Sequence, residues 1–167
     1  GVTEPAYPTF AESRFMAYDV IARGAGGVLY WGSHYLKSEP FRQSIYALTR
    51  ELSRLQPFLL QPALPGARAS LVEMPAEDET RGARVCVKSN GNEWLIILVN
   101  EDNRWHMGVD VSGLDALNGR RLERLYAEGG VTVREGRLAT RMEPYGVQVF
   151  ATGRAWETDQ RAGRDFQ

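Results

Sequence analysis

The stretch Arg23-Gly24-Ala25-Gly26-Gly27-Val28-Leu29-Tyr30-Trp31-Gly32-Ser33-His34-Tyr35 decides how the first third of the chain is read. Four glycines surround a four-residue apolar, β-rich run at 28–31, and a short continuous run of that kind is what a strand buried on both faces of a parallel sheet looks like. Upstream, Thr9 followed three residues later by Glu12 is a capping-box signature, so a helix is expected over 10–23. Ala11, Phe15, Tyr18 and Ala22 give that helix one apolar stripe, and Gly24 supplies a left-handed end. Downstream, Pro40 opens a second helix over 41–55, with Phe41, Ile45, Leu48, Leu52 and Leu55 on one face and Gln56-Pro57 as its stop. Helix, strand and helix in this order predict an α/β unit.

Beyond the proline-rich segment Gln61-Pro62-Ala63-Leu64-Pro65-Gly66 the hydrophobic period falls to two. Strands are expected over 70–73, 83–88, 93–99, 105–111, 121–127, 131–134, 137–140 and 147–151, with hairpin signals at Asn90-Gly91 and Glu135-Gly136. The fold class expected is therefore α/β plus all-β, divided into 1–62, an antiparallel β-sandwich over 67–153, and a flexible tail over 154–167.

Composition narrows the function. The 167 residues are 43% hydrophobic, with 20 basic against 21 acidic side chains and a formal charge of −1. Such a balance offers no overall field for nucleic acid or anionic lipid, so no nucleic-acid partner is expected. The apolar runs fall short of the about 20 residues a membrane span needs, so no membrane partner is expected either. The lone Cys86 excludes an internal disulfide and reads as a strand-core residue. Two histidines, His34 and His106, lack companions at ligand spacing, and the glycines at 24–32 precede a strand rather than open a helix, so no metal or other cofactor is expected. A start without Met, basic region or apolar region reads as a piece of something longer, and leaves the compartment open.

Chemistry concentrates at Trp31, Ser33, His34 and Tyr35, which follow the carboxyl end of the expected strand, where α/β folds bind ligands. An indole stacks on a pyranose face and imidazole and hydroxyl bond its hydroxyls, so a carbohydrate is a fitting guest. Trp31 reads equally as core, and His34 as an ordinary loop histidine. Glycoside hydrolysis needs two carboxylates about 5 to 9.5 Å apart. Glu12 reads instead as a cap, Asp19 as helix surface, Glu39 as a first-turn acid, and Glu4 as a loop acid.

The run Tyr7-Pro8-Thr9-Phe10-Ala11-Glu12-Ser13-Arg14-Phe15-Met16-Ala17-Tyr18-Asp19, then Arg23 through Gly32, resembles the end of TIM-barrel glycoside hydrolases related to the retaining β-glycosidase clan, and Met142 through Phe150 is similar to the last strand of the β-sandwich that often closes them. The resemblance implies the seventh helix, eighth strand and eighth helix of a (β/α)8 barrel, with Trp31 as the floor of a sugar subsite and His34 beside it. It also implies that the catalytic carboxylates precede Gly1, so the missing barrel portion is the implied partner. The alternative is a non-catalytic carbohydrate-binding or structural accessory β-sandwich module, in which Trp94, Trp105 and Tyr126 would share an exposed face.

Overall fold

A computed structural model describes residues 6–30, 36–72 and 82–157. Helix α1 spans Phe10–Ala22 and α2 spans Glu39–Leu59. The Thr9 hydroxyl accepts from the Glu12 amide at 3.2 Å while the Glu12 carboxylate accepts from the Thr9 amide at 2.7 Å, so each satisfies an amide the helix cannot. At the other end Gly24 has φ +100°, and its amide and that of Ala25 return to Ile21 and Val20, closing the helix in a left-handed turn that a side chain would strain. Ser38 caps α2, with Pro40 in its first turn.

Eight strands follow: β1 Arg68–Leu71, β2 Ala83–Asn90, β3 Glu93–Asn100, β4 Met107–Ser112, β5 Arg121–Leu125, β6 Gly130–Thr132, β7 Leu138–Met142 and β8 Val147–Ala151. They form two sheets, β1-β4-β7 and β2-β3-β8-β5-β6, and every pairing between them is antiparallel. The helices lie on one face of the larger sheet and the smaller sheet on the other. One core, with Tyr18, Leu48, Leu55, Phe58, Leu95 and Ile97, fills the space under the helices. The second, with Ile96, Leu98, Val109, Leu122, Leu138 and Phe150, fills the space between the sheets. The side chains of β3 alternate between the two, and from Leu95 to Val99 each is fully buried. This strand organises the whole molecule.

Two expectations are overturned here. The last helix-strand-helix of a (β/α)8 barrel followed by a separate sandwich is not the architecture: two helices cap an antiparallel sheet within one small domain. Residues 28–30 belong to no strand, and no two strands among the described residues are parallel. The resemblance to the C-terminal piece of a TIM-barrel glycoside hydrolase falls with it, because that piece requires its apolar run to join a parallel sheet. Leu29 instead stands 86% exposed. The helix stop at Pro57 is also corrected. Proline removes one amide, but the Leu60 amide still reaches the Gln56 carbonyl at 3.1 Å, and Phe58 is fully buried with its ring 4.6 Å from Trp156. Burial of Phe58 holds the last turn against the local preference.

Cys86, in β2, is 4% exposed, and burial pushes its thiol pKa up, with Lys88 opposing. The nucleophile is the thiolate. Folded protein is therefore expected to leave Cys86 unmodified by an aromatic disulfide reagent at neutral pH, with one thiol appearing on addition of urea. Rapid labelling without denaturant would mean that β2 opens in the native state.

Candidate functional site

The helical layer is joined to the sheet by a buried polar cluster. Glu51, from the middle of α2, has no exposed surface. Its Oε1 accepts from Arg14 Nε at 2.9 Å and from the Tyr18 hydroxyl at 2.6 Å, both from α1. Arg14 also donates to the Val147 carbonyl at 3.1 Å, so one guanidinium ties α1, α2 and β8 together. Burial, the largest single influence, lowers the Arg14 pKa, but Glu51, through its charge and its hydrogen bond, together with Tyr18 and Tyr126, reverses it, and the net direction is up. Burial, then Glu51, drives the Tyr18 hydroxyl well above its ordinary value. The cluster is ionic, saturated and structural.

Beside it opens a cleft of about 270 Å³, where the start of α1 meets the end of β5 and the turn into β8. Phe10, Tyr126 and Tyr145 supply its rings, and Arg14, Arg124 and Glu143 its charges. Arg14 is spent on Glu51, and its guanidinium stacks 4.9 Å from the Tyr18 ring centre and 5.6 Å from that of Tyr126. By contrast, Arg124 is a half-buried residue whose guanidinium has no hydrogen-bond or ion-pair partner among the described residues.

The two tyrosines are held in an unusual way. Tyr126 has φ +65° and Tyr145 φ +51°, and they are two of the three non-glycine residues in the left-handed region among those described. Bulky residues seldom adopt it, and the surroundings have to impose it. For Tyr126 the Glu157 carboxylate accepts the backbone amide at 2.8 Å, and Arg154 steadies that carboxylate at 2.9 Å. For Tyr145 the amide donates to the Asp102 carbonyl at 2.9 Å, and the Phe15 ring lies 4.6 Å away. The turn itself needs Gly146, where a Cβ would sit 2.6 Å from the Glu143 carbonyl. Buried Asn100 fixes that carbonyl with a 2.9 Å bond from its Nδ2. The outcome is a ring, Tyr145, that remains 41% exposed at the mouth of the cleft.

Trp31, Ser33, His34 and Tyr35 lie outside the described residues, as does Glu4. Their neighbour Tyr30 lines a different groove, of about 270 Å³, with Ile21, Val28, Leu52 and Leu59 between the ends of the helices. Glu12, Asp19 and Glu39 are engaged by Thr9, Arg23 and Arg42 respectively. Among the described residues no three His, Cys, Asp or Glu side chains are grouped to hold a metal ion, and no helix is long and apolar enough to cross a membrane. Trp94, Trp105 and Tyr126 do not make one platform. Trp94 packs on the core between the sheets, Tyr126 on the core under the helices, and Trp105 stands 63% exposed on the β3–β4 connection. The exposed ring that shares a cleft with Tyr126 is Tyr145, and its sequence signal is modest: an aromatic residue between Pro144 and Gly146 in a tight turn.

No family model matches this chain, and no curated protein matches it significantly.

Proposed function

We propose that this chain is a non-catalytic carbohydrate-binding accessory module, and that the cleft between α1, β5 and the turn into β8 is where a saccharide sits. The observation that carries this reading is the pair of tyrosines, Tyr126 and Tyr145, forced into left-handed backbone around one cleft. Backbone strain of this kind persists where surroundings over-determine it and clusters at ligand clamps, at a cost of about 1–3 kcal/mol per residue. The exposed ring of Tyr145 offers a flat apolar face to the C–H side of a sugar ring. Guanidinium and carboxylate groups at the same mouth suit hydroxyls, which both donate and accept. A mostly apolar, aromatic concavity with a few convergent polar groups is the usual form of a small-ligand site.

The test is isothermal titration against a panel of soluble oligosaccharides, comparing the chain with Tyr145→Ala. At least one saccharide is expected to bind, and the substitution should weaken it roughly tenfold or more, in line with the stacking energies of aromatic rings. Unchanged far-ultraviolet circular dichroism would show that the fold persists. A folded protein that binds no saccharide would defeat the reading.

One observation favours a second, structural reading. Six of the nine large apolar side chains exposed among the described residues, namely Met16, Val20, Leu29, Tyr30, Tyr46 and Leu60, belong to the helical half. A module that packs its helical layer on another protein body would present such a surface. A folded protein that binds no sugar would point there.

A further inference from the structure

We propose that the saccharide the cleft selects carries a carboxylate, that is, a uronic acid residue, and that Arg124 is the residue that selects it. The inference rests on the saccharide-binding reading and refines it. Arg124, on β5, lines the cleft with Tyr126 and is a half-buried residue whose guanidinium has no hydrogen-bond or ion-pair partner among the described residues. The contrast with its neighbours is informative. Arg14, in the same wall, is saturated by Glu51 and Val147, and Arg154, close by, is saturated by Glu157 and the carbonyls of Ala127 and Gly129. A guanidinium without a protein partner is open to a ligand, and a planar carboxylate is the group whose geometry matches its fork.

Glu143 narrows the class further. Its exposed carboxylate stands on the same cleft and adds a negative charge there. A dense anion such as inorganic phosphate or sulfate would meet Arg124 and Glu143 together and be repelled by one of them. A uronic acid separates its functions: its carboxylate faces the guanidinium, its hydroxyls donate to Glu143, and its ring face lies on Tyr145. One molecule then answers all three features of the cleft. The attraction is between partly exposed charges, so it weakens as salt is added.

The experiment is calorimetric titration with two sets of oligosaccharides of the same length and linkage, one neutral and one made of uronic acids, against the unaltered chain, Arg124→Gln and Arg124→Lys. Uronic acid oligomers are expected to bind roughly tenfold or more tightly than neutral ones, a difference of about 1.4 kcal/mol. Arg124→Gln should abolish that preference, weakening the uronic acid oligomers roughly tenfold more than the neutral ones, and Arg124→Lys should restore part of it. Raising salt should weaken only the uronic acid set. Equal binding of both sets, unaffected by Arg124→Gln, would overturn the proposal and leave the saccharide reading intact. Binding of neither set by folded protein would overturn both. Inorganic phosphate serves as the remaining probe: if it competes fully for the site, the cleft is a simple anion site and the proposal is wrong.

Discussion

Glu51→Ala is expected to destabilise the folded chain by about 3–5 kcal/mol, the range seen when one partner of a buried ion pair is removed. The carboxylate has no exposed surface, and its loss strands Arg14, whose side chain is 13% exposed, together with the Tyr18 hydroxyl. The fully buried Tyr18 hydroxyl finds no water without moving α1, and moving α1 opens the core under the helices. The measurement is urea denaturation followed by circular dichroism. Glu51→Gln should lose less, because its amide oxygen still accepts a hydrogen bond. The paired change Arg14→Met with Glu51→Leu should recover much of the loss, since apolar replacements of similar volume often match a buried pair. A loss for Glu51→Ala within about 0.5 kcal/mol, the range of an ordinary surface change, would show that the cluster does not hold the layers together.

Phe58→Ala is expected to have a loss of similar size, about 3–5 kcal/mol, for a different reason. Phe58 is fully buried at the end of α2, edge-on to Trp156 at 4.6 Å, and its removal leaves a cavity where helix, larger sheet and the Arg154–Trp156 turn meet. Here the shape of the transition matters as much as its midpoint. The helices share one core with the larger sheet, and β3 contributes to both cores, so helical dichroism and tryptophan fluorescence should lose signal together, at a lower urea concentration. If the helical signal melts first and leaves the sheets standing, the helical layer is an attachment and not a part of the cooperative unit.

Much of the secondary structure was legible, and the architecture was not. Period-two patterning and turn residues marked each β-rich run, and Thr9 and Glu12 marked the start of α1, because these signals are local. The error came from a rule about long-range context. A continuous apolar run fits a strand of a parallel sheet, and 28–31 matches that pattern. In this molecule the strand covered on both faces is β3, within an antiparallel sheet, with helices on one side and a second sheet on the other. What covers a strand is decided by segments distant in sequence, so Trp94 through Val99 and Val28 through Trp31 look alike until the partners are known. The resemblance to a glycosidase barrel inherited that ambiguity. Pro57 failed for the related reason that burial of Phe58 overrides a local helix breaker.

The cleft was even less visible. Arg124, Tyr126, Glu143 and Tyr145 come from two separated segments, and nothing in either predicts that β5 and β8 pair and bring them side by side. Left-handed tyrosines leave almost no sequence trace, because the residues imposing them, Glu157 and Asp102, are themselves remote or unremarkable.

The position of β3 also bears on how the chain reaches its fold. Its neighbours are β2, joined by a tight hairpin, and β8, whose Ala151 pairs with Leu95 across most of the sandwich. One edge of the most apolar strand therefore closes early and the other only after β4 to β7 have been made. During synthesis the sequence Trp94-Leu95-Ile96-Ile97-Leu98-Val99 waits with unpaired amides and carbonyls, in the company of other nascent chains. Such non-local pairing folds slowly and exposes sticky intermediates. The strand that secures the finished protein is thus also the apolar edge left open longest before β8 is made, and an open edge of that kind is a template for aggregation.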